Sequence, residues 1–572
     1  MPDSLPQLEA KRTELFRQLA ALGDFRRGSI TPTSGKCGKP SCHCAKDNDP
    51  GHGPNFRLTR RVEGKTVTET FASQAMLRKA QHEVDEFHCF QKLCGRDRGG
   101  QRENLRLASG RGRAHVGGKK TAAAIQAEIA REVTTLLGRI FTERKQVGHT
   151  DLEAVEMALR AAMHQAGAAA LSQLLQFPEP VADQRTIPCA CGQQARYREL
   201  RSRSVLTALG AVTLTRPWYL CPHCHNGQFP VDRQLDMEKH DFSPGVRRMQ
   251  GLVGQEVAFD HGREQMRLLA GLEVTAKSVE RTAEAIGANI AAGEQREIRK
   301  AVQLDLPVII GKPIPILYVQ MDGTGIPVVK KETEGRKGKT EGLPAHTREV
   351  KLGCVFTQTA WDQEGYAIRD PNSTTYTGAI ETAEEFGKRL YLEAWNRGWS
   401  HAAKKVVMGD GAEWIWNLAD LHFPGAVQIV DLYHARQHLW ELARKLYPND
   451  QASQKAWMKG HQKRLLDKGK IEKLVTEIRS IDSLNPEVVE KIRLEADYFE
   501  RNAERMRYPK FRRQHLFVGS GVIEAGCKTV IGSRLKQSGM FWTVRGANSV
   551  IALRCCHLNG RFEDYWENSR AA

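Results

Sequence analysis

ILYVQMDGTG, residues 316–325, is the stretch on which the fold turns. Its apolar run carries no polar alternation and ends in Asp322-Gly323, the pattern of a strand covered on both faces and closed by a turn. The pattern returns in KKVVMGD at 404–410, where Asp410-Gly411 leads into the helical run EWIWNLADL. REVKLGCVFTQT (348–359) and AVQIVD (426–431) read as further strands, and another is expected near Tyr366. Helices are expected over residues 379–397 and in YHARQHLWELARKL, 433–446. Strands alternating with helices imply an α/β sheet with helices on both faces. In such sheets ligands bind beyond the carboxyl ends of the strands, so Asp322 and Asp410 are expected on one edge.

Two carboxylates on one edge suit a hard divalent cation, which takes oxygen ligands. A third acid is expected from the helix that follows the Gly519-Ser520-Gly521 turn. Glu524 lies in its first turn among Val522, Ile523 and Ala525, and is expected to be buried there. Lys528, Arg534 and Lys536 follow as candidate DNA contacts, with Trp542 as a candidate base-stacking side chain. An Asp-Gly pair alone is a common turn. The order and setting of all three acids point to metal-dependent chemistry.

Outward from this core, residues 450–510 form a charged helical block without strand signals. Between Asp410 and Glu524 lies far more chain than a strand–helix connection needs. Residues 241–300 read as helices broken at Gly271, with the cadence of a helix-turn-helix or an ordinary helical hairpin over 263–287. Residues 181–240 carry Cys189, Cys191, Cys221 and Cys224 on turns between short strands, the layout of a structural zinc ribbon. His223 and His225 stand beside the second pair as alternative ligands.

Residues 121–180 read as helical, and 96–120 as a flexible basic linker rich in Gly and Arg. Residues 1–95 form a small accessory domain: a helix over 1–30, a hairpin turning at Glu63-Gly64, and a helix over 73–92. Its Cys37, Cys42, Cys44 and His52 are an irregular candidate for a second zinc.

The 572 residues carry 85 Lys and Arg against 67 Asp and Glu, a net charge of +18 that favours polyanionic partners. No apolar signal segment opens the chain, and the most apolar stretch, 306–321, is broken by Lys312, Pro313 and Pro315. A cytoplasmic protein is expected, with its 13 cysteines reduced and available to metal.

VQMDGTG, VKLGCVFTQT, VVMGDGAEWIW, VQIVDLYHARQHLW and GSGVIEAGCKTVIGSRLKQSGMFWTVRGAN, in this order, resemble the ISKra group of insertion-sequence transposases, within the Mutator-like DDE superfamily. The resemblance spans roughly residues 150–566. It implies a ribonuclease-H-like catalytic core over residues 301–572 with a helical insertion at about 440–515, and a triad of Asp322, Asp410 and Glu524 holding two magnesium or manganese ions. It also implies that Asp431 and His434 match a D/C-x-x-H signature, with His434 orienting a phosphate or a carboxylate. The expected partners are double-stranded DNA, at element ends and target, and further copies of the chain, near the nucleoid of a bacterium. A domesticated, non-catalytic DNA-binding regulator and a stand-alone nuclease with the same core remain alternatives.

Overall fold

The computed structural model describes residues 152–571 except 239, 308–312 and 339–343. Before 152 it describes 26, 28–35, 42, 46, 52–62, 65–71, 74, 76–88 and six positions between 127 and 138. Residues 1–25 and 27 of the expected helix over 1–30, and the basic linker, therefore lie outside the described residues. The chain forms two compact units, Met1–Thr121 and Ala122–Ala572.

In the first unit β1 (Ser29–Gly35), β2 (His52–Val62) and β3 (Lys65–Thr70) form an antiparallel sheet in that order. Val62 pairs with Lys65, and Glu63-Gly64, the expected turn, lie outside the described residues. Ser29 and Ile30, expected to end a helix, open β1 instead, and Ile30 pairs with Leu58 at the buried centre of the sheet.

The second unit opens with α1 (Leu152–Leu174), packed beside a four-stranded antiparallel sheet of β4 (Thr186–Pro188), β5 (Gln194–Thr207), β6 (Gly210–Leu220) and β7 (Gly227–Gln228). β5 and β6 form one long ribbon with a two-residue turn between Thr207 and Gly210. Helices α2 (Pro244–Glu256), α3 (Phe259–Gln265) and α4 (Ala276–Val302) follow. Gly271, at φ +68°, ends the π-helical continuation of α3, and a Thr275–Ser278 capping box starts α4.

The central sheet is built from β8 (Ile314–Pro327), β9 (Thr347–Gln358), β12 (Thr375–Ala379), β13 (Ala402–Gly409) and β14 (Val427–Val430). Its spatial order is β12-β9-β8-β13-β14, and β10 (Ala360–Trp361) and β11 (Ala367–Ile368) form a separate hairpin. β8, β13 and β14 run parallel, and β9 is antiparallel to both of its neighbours. β8 lies at the centre, which is why 316–321 is buried throughout. It does not end at Asp322 but pairs with β9 as far as Pro327.

The third core strand is Thr375–Ala379, and Tyr366 belongs to the outlying hairpin. There the Asp362 carboxylate accepts the Glu364 and Tyr366 N–H groups and turns the chain before it can extend.

Helices cover both faces of this sheet. α5 (Ala383–Asn396) packs Phe386 and Leu390 against Gly353, while α6 (Glu413–His422) places Ile415 against Gly409. Leu352, one residue from Gly353 and on the opposite face, approaches Gly526. Helices α7 (Leu432–Leu446), α8 (Gln451–Arg464), α9 (Ile471–Arg479) and α10 (Pro486–Arg501) come next, with no strand among the described residues of 450–510. α11 (Gly521–Gly526) and α12 (Val544–Leu558) close the core. α12 lies so close to α4 that a Cβ at Gly287 would stand 1.9 Å from the Ser549 carbonyl oxygen. Among the described residues, no helix is long and apolar enough to cross a membrane.

Candidate active site and a thiol quartet

β8 and β13 are parallel and in register, with Met408 opposite Gln320. Asp322 and Asp410 each lie two residues further along, Asp322 within β8 and Asp410 just past the end of β13, where neighbouring strand axes are about 4.8 Å apart. Asp322 is half-buried: Oδ1 accepts the Gly323 N–H at 2.7 Å, and Oδ2 the Cys527 thiol at 3.4 Å. Burial raises its carboxyl above the usual range, and the Asp410 charge adds to the rise. Asp410 Oδ1 accepts the Ala412 N–H at 2.9 Å, and its carbonyl accepts the Tyr498 hydroxyl at 2.9 Å. Gly411 has φ +99°, and a Cβ there would meet the Tyr498 ring at 2.6 Å. This glycine makes room for a packed aromatic.

Glu524 is exposed, contrary to the burial its apolar neighbours suggest. In the first turn of α11, Ile523 turns inward and Glu524 outward. The start of α11 is pinned from below, where the Ile523 N–H donates to buried Gln320 Oε1 at 3.0 Å. Gln320 and Asp322, two apart on β8, share the face that α11 covers. Cys527, three residues after Glu524 on the same helical side, contacts Asp322. From Cys527 to Gly532 the helix widens into a π stretch, a form frequent at functional sites.

Asp431, fully buried, ties the elements together. Its N–H donates to the Gly409 carbonyl at 2.8 Å, and Oδ1 caps α7 by accepting the His434 N–H at 2.8 Å. Oδ2 accepts both the N–H and the hydroxyl of Ser520, and the same hydroxyl oxygen lies 3.2 Å from Glu524 Oε1, so its one proton is shared between the two carboxylates. His434 lines a cleft of about 510 Å³ together with Asp410, Trp416, His438, Tyr498 and Arg505.

None of Asp322, Asp410, Asp431 and Glu524 forms an ion pair with Lys or Arg among the described residues, in a chain of net charge +18. Oxygen donors of like charge, one with its pKa raised, fit a divalent cation. The three triad carboxylates are not within 4.8 Å of one another.

Of the expected DNA contacts, Lys528 and Lys536 are exposed, and Lys536 Nζ donates to Thr324 Oγ1 beside Asp322. Arg534 is a correction. It is fully buried between the Phe259 and Trp542 rings and donates through Nε and a terminal nitrogen to the Gly254 carbonyl at 3.0 and 2.9 Å. Burial lowers its pKa to about 10. Trp542 is a second correction: it is buried, and its indole N–H is taken by the Leu535 carbonyl at 3.1 Å. Neither side chain is free to meet DNA.

Cys189, Cys191, Cys221 and Cys224 stand with all four sulfurs within 4.8 Å of one another, a group that includes neither His223 nor His225. The Cys189–Cys224 and Cys191–Cys221 sulfurs are 3.5 and 3.6 Å apart. Tetrahedral zinc with bonds of about 2.3 Å requires roughly 3.8 Å between sulfurs, so the quartet fits that ion. Backbone N–H groups of Cys224 and His223 hold the Cys221 thiol down to about 6. In the first unit Cys42 Sγ and His52 Nε2 are 3.0 Å apart, while Cys37 and Cys44 lie outside the described residues.

Ser520, Cys527, His438, Glu495 and Tyr498 were not expected at the site. Only the i, i+4 spacing of His434 and His438 on one helix offered a signal.

Residues 152–569 match an uncharacterised protein family, UPF0236, and residues 5–75 match a domain of unknown function, DUF6788. A curated relative, a UPF0236 protein in the vanSb 3' region of Streptococcus gallolyticus, is 23% identical over 460 residues, covering 76% of this chain and 88% of the relative. Among solved structures, the Drosophila P element transposase strand transfer complex gives 10% identity with a TM-score of 0.15, over 45% of this chain and 66% of that one.

Proposed function

The chain belongs to the uncharacterised protein family UPF0236, and on that footing we propose that it is a DNA transposase of a bacterial insertion sequence. In this reading it binds element ends and carries out metal-dependent strand cleavage and strand transfer. The central observation is the acidic edge: Asp322 on β8 and Asp410 just past the end of the adjacent parallel strand β13, with no Lys or Arg ion pair among the described residues, and Glu524 presented by a helix tied to the same edge through Ser520 and Asp431.

The mixed five-stranded sheet with helices on both faces supports a ribonuclease-H-like core, and α8 to α10 the helical insertion. Asp322, Asp410 and Glu524 would hold two magnesium or manganese ions, which when bound activate water and neutralise charge on the leaving oxygen. The chain's own part is to fix these carboxylates. Gln320 and Asp431 set the start of α11, and Tyr498 holds the backbone at Asp410. Exposed Lys528 and Lys536 flank this edge and suit DNA phosphates.

The thiol quartet would hold a structural zinc that closes the β4–β7 sheet, and residues 120–295 would supply further DNA contacts. Double-stranded DNA at element ends and target, and other copies of the chain, are the partners of this reading, which places the protein at the bacterial nucleoid.

The test is cleavage and joining of DNA bearing the element's ends with magnesium, comparing wild type with Glu524→Gln. Activity lost in the variant supports the proposal. End binding by both proteins, with cleavage by neither under magnesium or manganese, favours a non-catalytic DNA-binding protein.

A further inference from the structure

Beside the acidic edge runs a chain of side chains that the triad does not account for. His434 and His438 lie one turn apart on α7, with their Nε2 atoms 3.2 Å from each other. His438 Nδ1 is 2.7 Å from Glu495 Oε2, on α10 of the helical block. Glu495 is 2% exposed, and Lys491 pairs with its other oxygen at 2.5 Å. The His438 ring stacks flat on Tyr498 at 3.9 Å, and Tyr498 holds the Asp410 carbonyl.

We infer that Glu495 and His438 are positioning residues that fix the orientation and tautomer of His434 beside the acidic edge. A carboxylate only accepts, so the His438 proton facing Glu495 is on Nδ1. In neutral His438 the Nε2 atom then carries a lone pair and accepts, so His434 Nε2 bears the donated proton. The remaining nitrogen, His434 Nδ1, is left with its lone pair and has no partner among the described residues.

What the ring does with that lone pair rests on the transposase reading. Nδ1 can take the proton that an attacking water or 3′-hydroxyl releases. His434 then passes its Nε2 proton to His438, whose positive charge faces Glu495. The helical block thereby sets the state of a side chain in the core through two contacts.

The test uses the full chain with 15N-labelled histidine, the His434 signals being identified by their loss in His434→Gln. Metal-free wild type should show His434 protonated at Nε2 and bare at Nδ1. In Glu495→Gln the amide can turn either its oxygen or its nitrogen to His438, so His434 should become a mixture of tautomers. Unchanged His434 signals in that variant overturn the inference, as does a mixture in the wild type.

On DNA with magnesium, His438→Ala should lower turnover by about 10–100-fold at unchanged KM, the usual scale for removing a supporting residue of this kind. Added imidazole, filling the space between Tyr498 and Glu495, should restore part of the loss, which a merely structural role would not allow. Full turnover in His438→Ala also overturns it. Should His438→Ala not fold, Glu495→Gln carries both measurements. A wild type that cuts no DNA would sink the transposase reading, while the tautomer measurement, needing neither metal nor DNA, would still decide the relay.

Discussion

Ser520 donates both its backbone N–H and its hydroxyl to a single oxygen of Asp431, 89 positions away in the chain. The other oxygen of that carboxylate caps the helix of His434. One buried side chain therefore sets two elements of the site at once, the turn before Glu524 and the first turn of α7.

Asp431→Ala is expected to leave buried donors of Ser520 unpaired, at a cost of about 1–3 kcal/mol in stability. Asp431→Asn keeps the volume but turns an N–H₂ toward one set of donors. It should keep the fold and DNA binding while lowering cleavage at least about 10-fold. Thermal melts and cleavage assays on the two variants check this, and full cleavage by Asp431→Asn would count against the anchoring role.

Asp322 has a raised carboxyl pKa, so folding favours its protonated form and its ionisation weakens the folded state. The penalty is absent at pH values below the ordinary carboxylate range, and sets in as pH rises through that range to the raised pKa. Asp322→Asn should thus melt higher than wild type at pH 7, with the gain fading in acid. Magnesium or manganese should stabilise the wild type, by about 2.7 kcal/mol at a hundredfold excess over Kd, and not the variant. Equal responses of both proteins to the cation would remove Asp322 from the metal site.

The thiol quartet is expected to bind one zinc per chain, measured by elemental analysis of purified protein. Cys221→Ser should lose the zinc and expose the β4–β7 sheet to protease, with the central sheet intact. Zinc retained at full occupancy in Cys189→Ser/Cys221→Ser would place the metal elsewhere.

Arg534 and Lys536, two residues apart, should behave oppositely. Arg534→Ala leaves the Gly254 carbonyl and two aromatic faces without their cation, and should lower the melting temperature without changing the salt dependence of DNA binding. Lys536→Ala and Lys528→Ala should leave stability alone and each reduce the salt slope by about one. A reduced slope for Arg534→Ala would contradict its buried placement.

Asp322 and Asp410 could be named from the sequence because each closes an apolar run, and a strand's burial is written in consecutive residues. The paired cysteines were legible for the same local reason. The third strand, Thr375–Ala379, was not, since threonine, tyrosine and glycine carry little apolar signal and its place is set by pairing with β9.

Glu524 was read as buried because its neighbours are apolar, but only the seating of Ile523 on Gln320 fixes which face of that turn points outward. Arg534 and Trp542 were candidate DNA contacts because a cation beside an acidic edge suits a phosphate and an aromatic ring can stack on a base. Their partners, Gly254 and Phe259, lie some 280 residues earlier. The sequence by itself determined four of the five core strands, the two aspartates that close apolar runs and the cysteine pairs, all encoded by residues a few positions apart. Tertiary structure alone decided which acids, histidines and cations face one another, because hydrogen bonds and burial between distant segments leave no periodic trace along the chain.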